Sequence, residues 1–169
     1  MGTLGHDLIE KHIFETDGKD YTIDDEEFSH LTPDEYATAE QCAETFKKWF
    51  KAYDVKIITT ELGLVSEEYQ FGGRLDATAM IDGKFVLLDW KTSKGVYESY
   101  LSQLGGYIIL LEENGQPLVQ EIHILRVSKE SGGFEHRMWP RDKVRIAIDH
   151  FIHCRKLYEM DKVIKKLLK

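Results

Sequence analysis

The sequence predicts an α/β fold in which helices flank a central mixed β-sheet, because that arrangement buries the apolar faces of helices and strands that alternate along a chain. Two strand-like segments, 74–81 and 85–90, flank Asp82-Gly83, a dipeptide typical of a two-residue hairpin turn. A helical pattern follows them at 97–113, and a long helical pattern follows Pro140. We therefore expect about five strands with helices packed against them.

The chain is expected to begin with two helices. Residues 3–14 carry apolar side chains near helical spacing, whereas residues 15–30 are acidic and irregular. A second helix is predicted from Thr32, which can cap the first turn while Glu35 completes a capping box, and its apolar face ends near residue 54.

The segments predicted as strands share β-branched or alternating apolar residues. They are 55–60, 64–71, 74–81, 85–90, 119–127 and 134–139. The last helix is predicted from residue 141 to about 168, with an apolar stripe along its length.

Length and composition favour one domain spanning residues 1–169. No apolar run approaches the roughly 20 residues that cross a bilayer, and the N-terminus lacks the pattern of a signal peptide, so we expect no membrane partner and a cytoplasmic location, or the host cytoplasm for a phage protein. The two cysteines, Cys42 and Cys154, lie far apart, so the pattern expected for a zinc or iron–sulfur centre is missing.

The net charge of −8 is unevenly distributed. Residues 1–45 carry 13 acidic and 2 basic side chains, whereas residues 141–169 carry 4 acidic and 9 basic ones. A phosphate backbone would avoid the first segment and favour the last. The overall acidity therefore does not exclude a nucleic-acid partner.

Two acids and a lysine stand out on the predicted 74–90 hairpin. Asp89 interrupts an apolar strand, and Lys91 points to the same face because side chains alternate along a strand. Asp76 occupies a partner position on the preceding strand. Carboxylates bind Mg²⁺ or Mn²⁺, and such an ion activates water and polarises a phosphoryl oxygen. This pattern favours phosphodiester hydrolysis, with Lys91 orienting the water or balancing charge.

A structural ion pair is the alternative interpretation of these residues. A buried carboxylate costs several kcal/mol unless it is paired or binds a metal. Asp89 could satisfy that requirement by pairing with Lys91 or with Arg74. The three residues alone do not separate a metal site from such a pair.

The wider pattern resembles the RecB-like exonuclease branch of the PD-(D/E)xK nuclease superfamily. The matching motifs, in order, are Gly2-Thr3-Leu4-Gly5-His6, Glu61, Gly73-Arg74-Leu75-Asp76, Asp89-Trp90-Lys91-Thr92, and Gln103 with Tyr107. The resemblance covers roughly residues 2–110. It implies a restriction-endonuclease-like core and a metal-dependent nuclease.

The resemblance also implies roles for individual residues. His6, Asp76, Asp89 and the backbone carbonyl of Trp90 would bind the metal, and Lys91 would be the catalytic lysine. Gln103 and Tyr107 share one helical face, so they would position Lys91 or the DNA. Glu61 would touch metal through water or brace Lys91.

Three further residues follow the lysine, Thr92, Ser93 and Lys94. They are candidate phosphate contacts. The equal alternative is that they form an ordinary solvent-exposed loop. Compared with relatives that hold an iron–sulfur cluster, this chain lacks the four cysteines required, and it has no nucleotide-binding P-loop. We therefore expect Mg²⁺ or Mn²⁺ as the only cofactor.

The predicted substrate is DNA, as single strands or duplex ends, and the predicted activity is exonucleolytic. A protein partner in recombination or repair, or a homo-oligomer, is compatible with the sequence. Three other functions remain open at this stage: a non-catalytic nucleic-acid-binding module, a protein-interaction subunit, and a structure- or sequence-specific endonuclease.

Overall fold

The structure is a computed structural model that describes residues 2–16, 18–24, 26–128 and 133–168. Within these residues the elements follow one another as α1 (Gly2–Thr16), α2 (Pro33–Ala52), β1 (Lys56–Ser66), β2 (Phe71–Ile81), β3 (Lys84–Thr92), α3 (Glu98–Glu113), β4 (Glu121–Val127), β5 (Phe134–Pro140) and α4 (Arg141–Leu167). The predicted α/β class is confirmed.

The five strands form one mixed sheet in the order β1-β2-β3-β4-β5. β3 and β4 are parallel, and the other neighbouring pairs are antiparallel. Asp82 and Gly83 have φ values of 49° and 75°, which is the left-handed backbone that the predicted hairpin turn requires. The sheet therefore brings β3, with Asp89 and Lys91, to its centre.

The prediction of a separate strand at 64–71 is wrong. β1 is one strand that continues to Ser66, and residues 67–70 form the turn into β2. The Ser66 hydroxyl accepts a hydrogen bond from the Tyr69 N–H at 2.9 Å, and Gln70 has a φ of 55°. The carboxylate of Glu113 accepts hydrogen bonds from the N–H groups of Glu67 and Glu68. These local and tertiary contacts stabilise a tight turn that the alternating pattern conceals.

The capping box predicted for α2 is confirmed. The Thr32 side chain accepts a hydrogen bond from the Glu35 N–H, and the Glu35 carboxylate accepts one from the Thr32 N–H at 2.9 Å. α2 and α1 pack on one face of the sheet, where Phe46 contacts Trp90 edge to face. This packing anchors α1 beside the end of β3 that carries Asp89.

The opposite face of the sheet is covered by α3 and α4, around Leu87, Leu104 and Ile108. Leu75 belongs to this second core, whereas Ala77, two residues later on the same strand, belongs to the first. Side chains two residues apart on a strand normally point to the same face of the sheet. Because Leu75 and Ala77 point to opposite faces, the regular alternation of β2 is broken between them. Asp76 lies at that break, where both cores adjoin.

α4 extends beyond the part of the sheet and α3 on which it packs. Val144 and Ala147 are buried, and Arg155 donates a hydrogen bond from Nε to the Tyr69 carbonyl at 3.0 Å. Beyond Arg155 the side chains up to Leu168 are exposed. In the part of the chain that the structure describes, no helix is long and apolar enough to cross a membrane.

Replacing Gly105 by alanine is expected to separate α3 from α4. A Cβ atom at Gly105 would lie 2.5 Å from the backbone oxygen of Ala147, so the helices must shift apart. We expect the free energy of unfolding to fall by roughly 1–3 kcal/mol, measured by chemical denaturation. Gly63→Ala is the control because no atom lies within 4 Å of its Cβ position, and an equal loss in both variants would contradict this assignment.

Candidate active site

Asp89 and Lys91 form a buried ion pair on β3. The Asp89 side chain is 1% exposed, and Lys91 Nζ lies 2.9 Å from Asp89 Oδ1 and 2.8 Å from Oδ2. The alternation of the strand places both side chains on the α3 side of the sheet, as predicted. Of the two ion pairs considered from the sequence, this one is present, whereas Arg74 pairs with Glu61 at 3.1 Å.

Lys91 is also held from α3. Its Nζ donates to Gln103 Oε1 at 3.0 Å, and Gln103 Nε2 donates to the Tyr107 hydroxyl at 2.9 Å. Because the ammonium group only donates, the amide oxygen of Gln103 must face it, which orients the amide nitrogen towards Tyr107. The structure therefore brings Asp89, Lys91, Gln103 and Tyr107 into one chain of contacts, which we call the Lys91 network.

Tyr107 is seated against the backbone of β2. A Cβ atom at Gly73 would lie 2.9 Å from Cε1 of the Tyr107 ring, so this ring occupies space that only glycine leaves open. Burial, followed by the negative charges of Asp89 and Asp76, raises the pKa of Tyr107 to about 12. Its hydroxyl consequently stays protonated at neutral pH.

Asp76 faces the same end of β3 from the neighbouring strand. Its Oδ2 accepts a hydrogen bond from the Trp90 N–H at 2.9 Å. Burial is the main reason that the pKa of Asp76 is raised to about 6; the Trp90 N–H and Lys91 oppose this rise, and the charges of Glu61 and Glu10 add to it. The positive charge of Lys91 therefore does not fully offset the burial of the Asp76 carboxylate. Carboxyl groups with pKa values shifted in this way are common at functional sites.

Glu61 lies across from Asp76 on β1. Its neighbours Thr60 and Leu62 pair with Ala77 and Leu75, the residues on either side of Asp76. Glu61 has a φ of 49°, an uncommon backbone for this residue type. Glu61 therefore lies near Asp76, and its role in the site stays a prediction.

Glu10, on α1, was not predicted from the sequence as a residue of this region. Glu10 is 8% exposed, and its Oε2 accepts a hydrogen bond from the Tyr21 hydroxyl at 2.8 Å. Burial raises its pKa, Tyr21 lowers it, and the charges of Glu61 and Asp7 raise it again. The signal that could have revealed Glu10 is its spacing of four residues from His6, because such residues share a helical face.

Replacing Glu10 by glutamine is expected to weaken Mn²⁺ binding roughly 10-fold, which corresponds to about 1.4 kcal/mol. The substitution removes one buried negative charge that acts on Asp76 while conserving the shape of the side chain. Calorimetric titration measures the change. Glu15→Gln, at an exposed position of the same helix, is the matched control and should bind Mn²⁺ like the unchanged protein. Equal affinities for all three would exclude Glu10 from the site.

Of the remaining predicted residues, Thr92 lies against α1. The side chain of His6 is outside the described part of the structure, although its neighbour Gly5 lies against Thr92, with 3.7 Å between the Gly5 Cβ position and Cγ2 of Thr92. Ser93 is bound into its loop, since its hydroxyl donates to the Gly95 carbonyl at 2.8 Å and its own carbonyl accepts from Arg126. Lys94 is exposed.

The donors at this site fit a hard divalent cation. The charges of Glu61 and Glu10 act on Asp76, and Asp89 is paired with the Lys91 ammonium group nearby. Carboxylate oxygens are ligands that Mg²⁺ and Mn²⁺ prefer. Among the described side chains, no three from His, Cys, Asp and Glu are already arranged around one point. A cation here would therefore complete its ligand shell with backbone oxygen, water and phosphate, as Mg²⁺ commonly does.

A solved structure shares this fold. A protein from Eubacterium rectale that is provisionally named an exonuclease aligns with 77% of this chain and 53% of its own chain, at 13% identity and a TM-score of 0.52. The alignment therefore spans about half the length of that protein. SSO0001 aligns with 89% of this chain and 74% of its own, at 14% identity, but its TM-score of 0.38 supports no conclusion. No curated protein matches the chain.

The restriction-endonuclease-like α/β fold predicted from the motifs is thus confirmed. The profile of the PD-(D/E)XK nuclease superfamily matches residues 1–162, which is nearly the whole chain. That match includes both strands of the central hairpin and the helix that carries Gln103. The chain belongs to the PD-(D/E)XK nuclease superfamily.

Proposed function

We propose that this nuclease hydrolyses DNA with the help of Mg²⁺ or Mn²⁺ and acts as an exonuclease on single strands or duplex ends. The observation that carries the proposal is the Lys91 network beside Asp76. A buried acid and an ammonium group at the end of β3 lie beside a second acid, of raised pKa, on β2. Hydrolysis of a phosphodiester needs this combination of cation ligands and a positive donor.

A purely structural ion pair would not explain the surrounding acids. Asp89 and Lys91 already neutralise each other, so Asp76 and Glu10 add negative charge to a half-buried region. Burying such charge costs free energy unless a cation compensates it. The excess of carboxylates therefore supports a metal-binding role.

We assign the metal ligands as Asp76, Asp89 and the Trp90 carbonyl, with His6 as a further ligand and Glu61 in contact through water. When bound, Mg²⁺ or Mn²⁺ supplies Lewis acidity towards a phosphoryl oxygen and lowers the pKa of a bound water. Asp89 is held on a central strand, and Asp76 is held by the Trp90 N–H. These rigid supports keep the two carboxylates at fixed positions before substrate binds.

Lys91 acts at the attacking side of the phosphate. Asp89 and Gln103 both accept hydrogen bonds from Lys91 Nζ, and the Tyr100 ring lies 5.1 Å from it. Its ammonium group can therefore orient the attacking water and balance the negative charge that develops on the phosphoryl oxygens. Gln103 and Tyr107 are positioning residues because they act through Lys91.

The substrate would approach over the loop that follows β3. Thr92 and Ser93 are half-buried and Lys94 is exposed, so this segment carries hydroxyl groups and an ammonium group next to the site. The Ser93 hydroxyl donates to the Gly95 carbonyl, so it would have to leave that bond to donate to a phosphate. We propose these three residues as phosphate contacts. The exonuclease assignment draws on the resemblance to the RecB-like branch and on the name of the Eubacterium rectale protein.

Cleavage of end-labelled linear DNA and closed circular DNA tests this function. We expect degradation of linear substrate in the presence of Mn²⁺ or Mg²⁺, no degradation with a chelator, and intact circles. Asp89→Asn should be inactive. Asp142→Asn is the matched control, because its carboxylate is exposed on α4 and pairs only with Lys143 among the charged groups described.

The possible results separate the proposed function from its alternatives. Cleavage of circular DNA would identify an endonuclease instead. DNA binding without cleavage, unaffected by Asp89→Asn, would identify a binding module. Neither binding nor cleavage, with no heat of Mn²⁺ binding, would favour a protein-interaction subunit.

A further inference from the structure

The C-terminal half of α4 carries a stripe of apolar side chains that are exposed and do not pack into either core of the described residues. Four of its side chains are exposed despite their size: Leu157 (59%), Met160 (60%), Ile164 (53%) and Leu167 (80%). Exposed apolar residues scattered singly are ordinary, but a continuous row of them marks an interaction surface. We call these four residues the α4 seam.

The spacing within the seam is that of a coiled coil. Its residues are separated by three, four and three positions, which is the alternation of a and d in a heptad repeat. Leu157 and Ile164 occupy a positions, and Met160 and Leu167 occupy d positions. Ile164 followed by Leu167 is the a/d combination that favours two parallel strands.

The seam faces away from the domain. At 3.6 residues per turn, Val144, Ile148, Phe151 and Arg155 lie on one side of α4, and the seam lies on the opposite side. The first side packs on the sheet and α3, where Phe151 contacts Gly106 and Arg155 binds the Tyr69 carbonyl. The seam itself is therefore open to a second copy.

Charges beside the seam favour a second copy of this chain in parallel orientation. Lys156 flanks the seam at a g position, and Asp161 flanks it on the other edge at the e position of the following heptad. In a parallel pair, g faces the following e of the partner, so each Lys156 meets the partner's Asp161. An antiparallel pair would instead place like positions together, which removes this attraction.

We propose that residues 155–168 pair with the same segment of a second copy to form a short parallel coiled coil, which makes the protein a homodimer. The two seams pack against each other, and two contacts between Lys156 of one copy and Asp161 of the other determine the register. The basic face of the helix, with Lys162, Lys165 and Lys166, stays in solvent on the outside. This proposal does not depend on the nuclease activity.

The oligomeric state of the full chain tests the proposal. Sedimentation equilibrium should give a mass of twice 19.6 kDa at high protein concentration, with dissociation on dilution because the seam spans only two heptads. Leu157→Lys should weaken dimerisation by at least about 30-fold. Tyr158→Lys is the matched control, because Tyr158 is 56% exposed at the same height on the other side of the helix, and it should leave the dimer intact.

Two further variants test orientation and register. Met160→Cys, in a chain that also carries Cys154→Ser, should form a disulfide-linked dimer under oxidation, because d positions of a parallel pair face each other. Lys156→Asp and Asp161→Lys should each weaken the dimer, and their combination should restore it. Circular dichroism at 222 nm checks that each variant is folded.

A mass of 19.6 kDa at all concentrations would overturn the proposal. Equal dissociation by Leu157→Lys and Tyr158→Lys would also overturn it, since the assigned face would then be wrong. A monomer that loses DNA binding in Leu157→Lys would show that the seam serves nucleic acid instead.

Discussion

Replacing Lys91 by methionine is expected to lower the single-turnover rate of DNA cleavage by at least about 1000-fold. The methionine conserves much of the length of the side chain but removes the ammonium group that Asp89 and Gln103 hold. The attacking water then loses a donor, and the developing charge loses its counter-charge. The rate is measured with end-labelled DNA at saturating Mn²⁺.

The same change leaves the buried Asp89 carboxylate without its ammonium partner, which typically costs about 3–5 kcal/mol in the metal-free protein. Folding is therefore verified by circular dichroism with Mn²⁺ present. Lys162→Met is the matched control, because Lys162 also pairs with a glutamate, Glu159, at 3.0 Å but lies on exposed α4. Cleavage by folded Lys91→Met at the unchanged rate would remove Lys91 from the mechanism.

Replacing Asp76 by asparagine is expected to abolish cleavage while stabilising the metal-free protein. The pKa of Asp76 is about 6 in the folded chain and near 3.8 in the unfolded chain, mainly because the carboxyl group is buried. A raised folded pKa means that stability is present below the unfolded pKa and is lost as the pH rises through the folded pKa. At pH 8 the charged form therefore lowers the free energy of unfolding by roughly 1–3 kcal/mol.

Chemical denaturation of both proteins, with a chelator present, measures this effect. The stabilisation by Asp76→Asn should be largest at pH 8 and should fall below about 1 kcal/mol at pH 4, where Asp76 is protonated in the folded chain. Mn²⁺ should reverse the order at pH 8, because it stabilises only the protein that binds it. A variant that is less stable than the unchanged protein at both pH values would refute the assigned burial cost.

Much of the fold follows from local sequence signals. Asp82-Gly83 fixes the β2–β3 hairpin, because its left-handed backbone suits few other residue pairs. Thr32 and Glu35 define the start of α2 through the capping box. The turn at 67–70 escaped prediction because Glu113, 45 or more residues away, supplies the acceptor that stabilises it.

The candidate site divides in the same way. Asp89 and Lys91 were predicted to share a face because strand alternation is a local rule, and they do. Glu10 was missed because an acid on an amphipathic helix carries no local mark of burial. Its environment arises only when α1 packs beside β3 and when Tyr21, from the acidic segment after α1, donates to its carboxylate.

The last helix shows where local rules end. The sequence by itself determined a long amphipathic helix after Pro140, and it determined that Asp89 and Lys91 share one face of a strand. Only the tertiary structure decided that the first half of that helix packs on the domain and the second half does not. Helical periodicity depends on residues a few positions apart, whereas burial depends on how far the sheet and α3 extend beneath the helix, and no local pattern contains that distance.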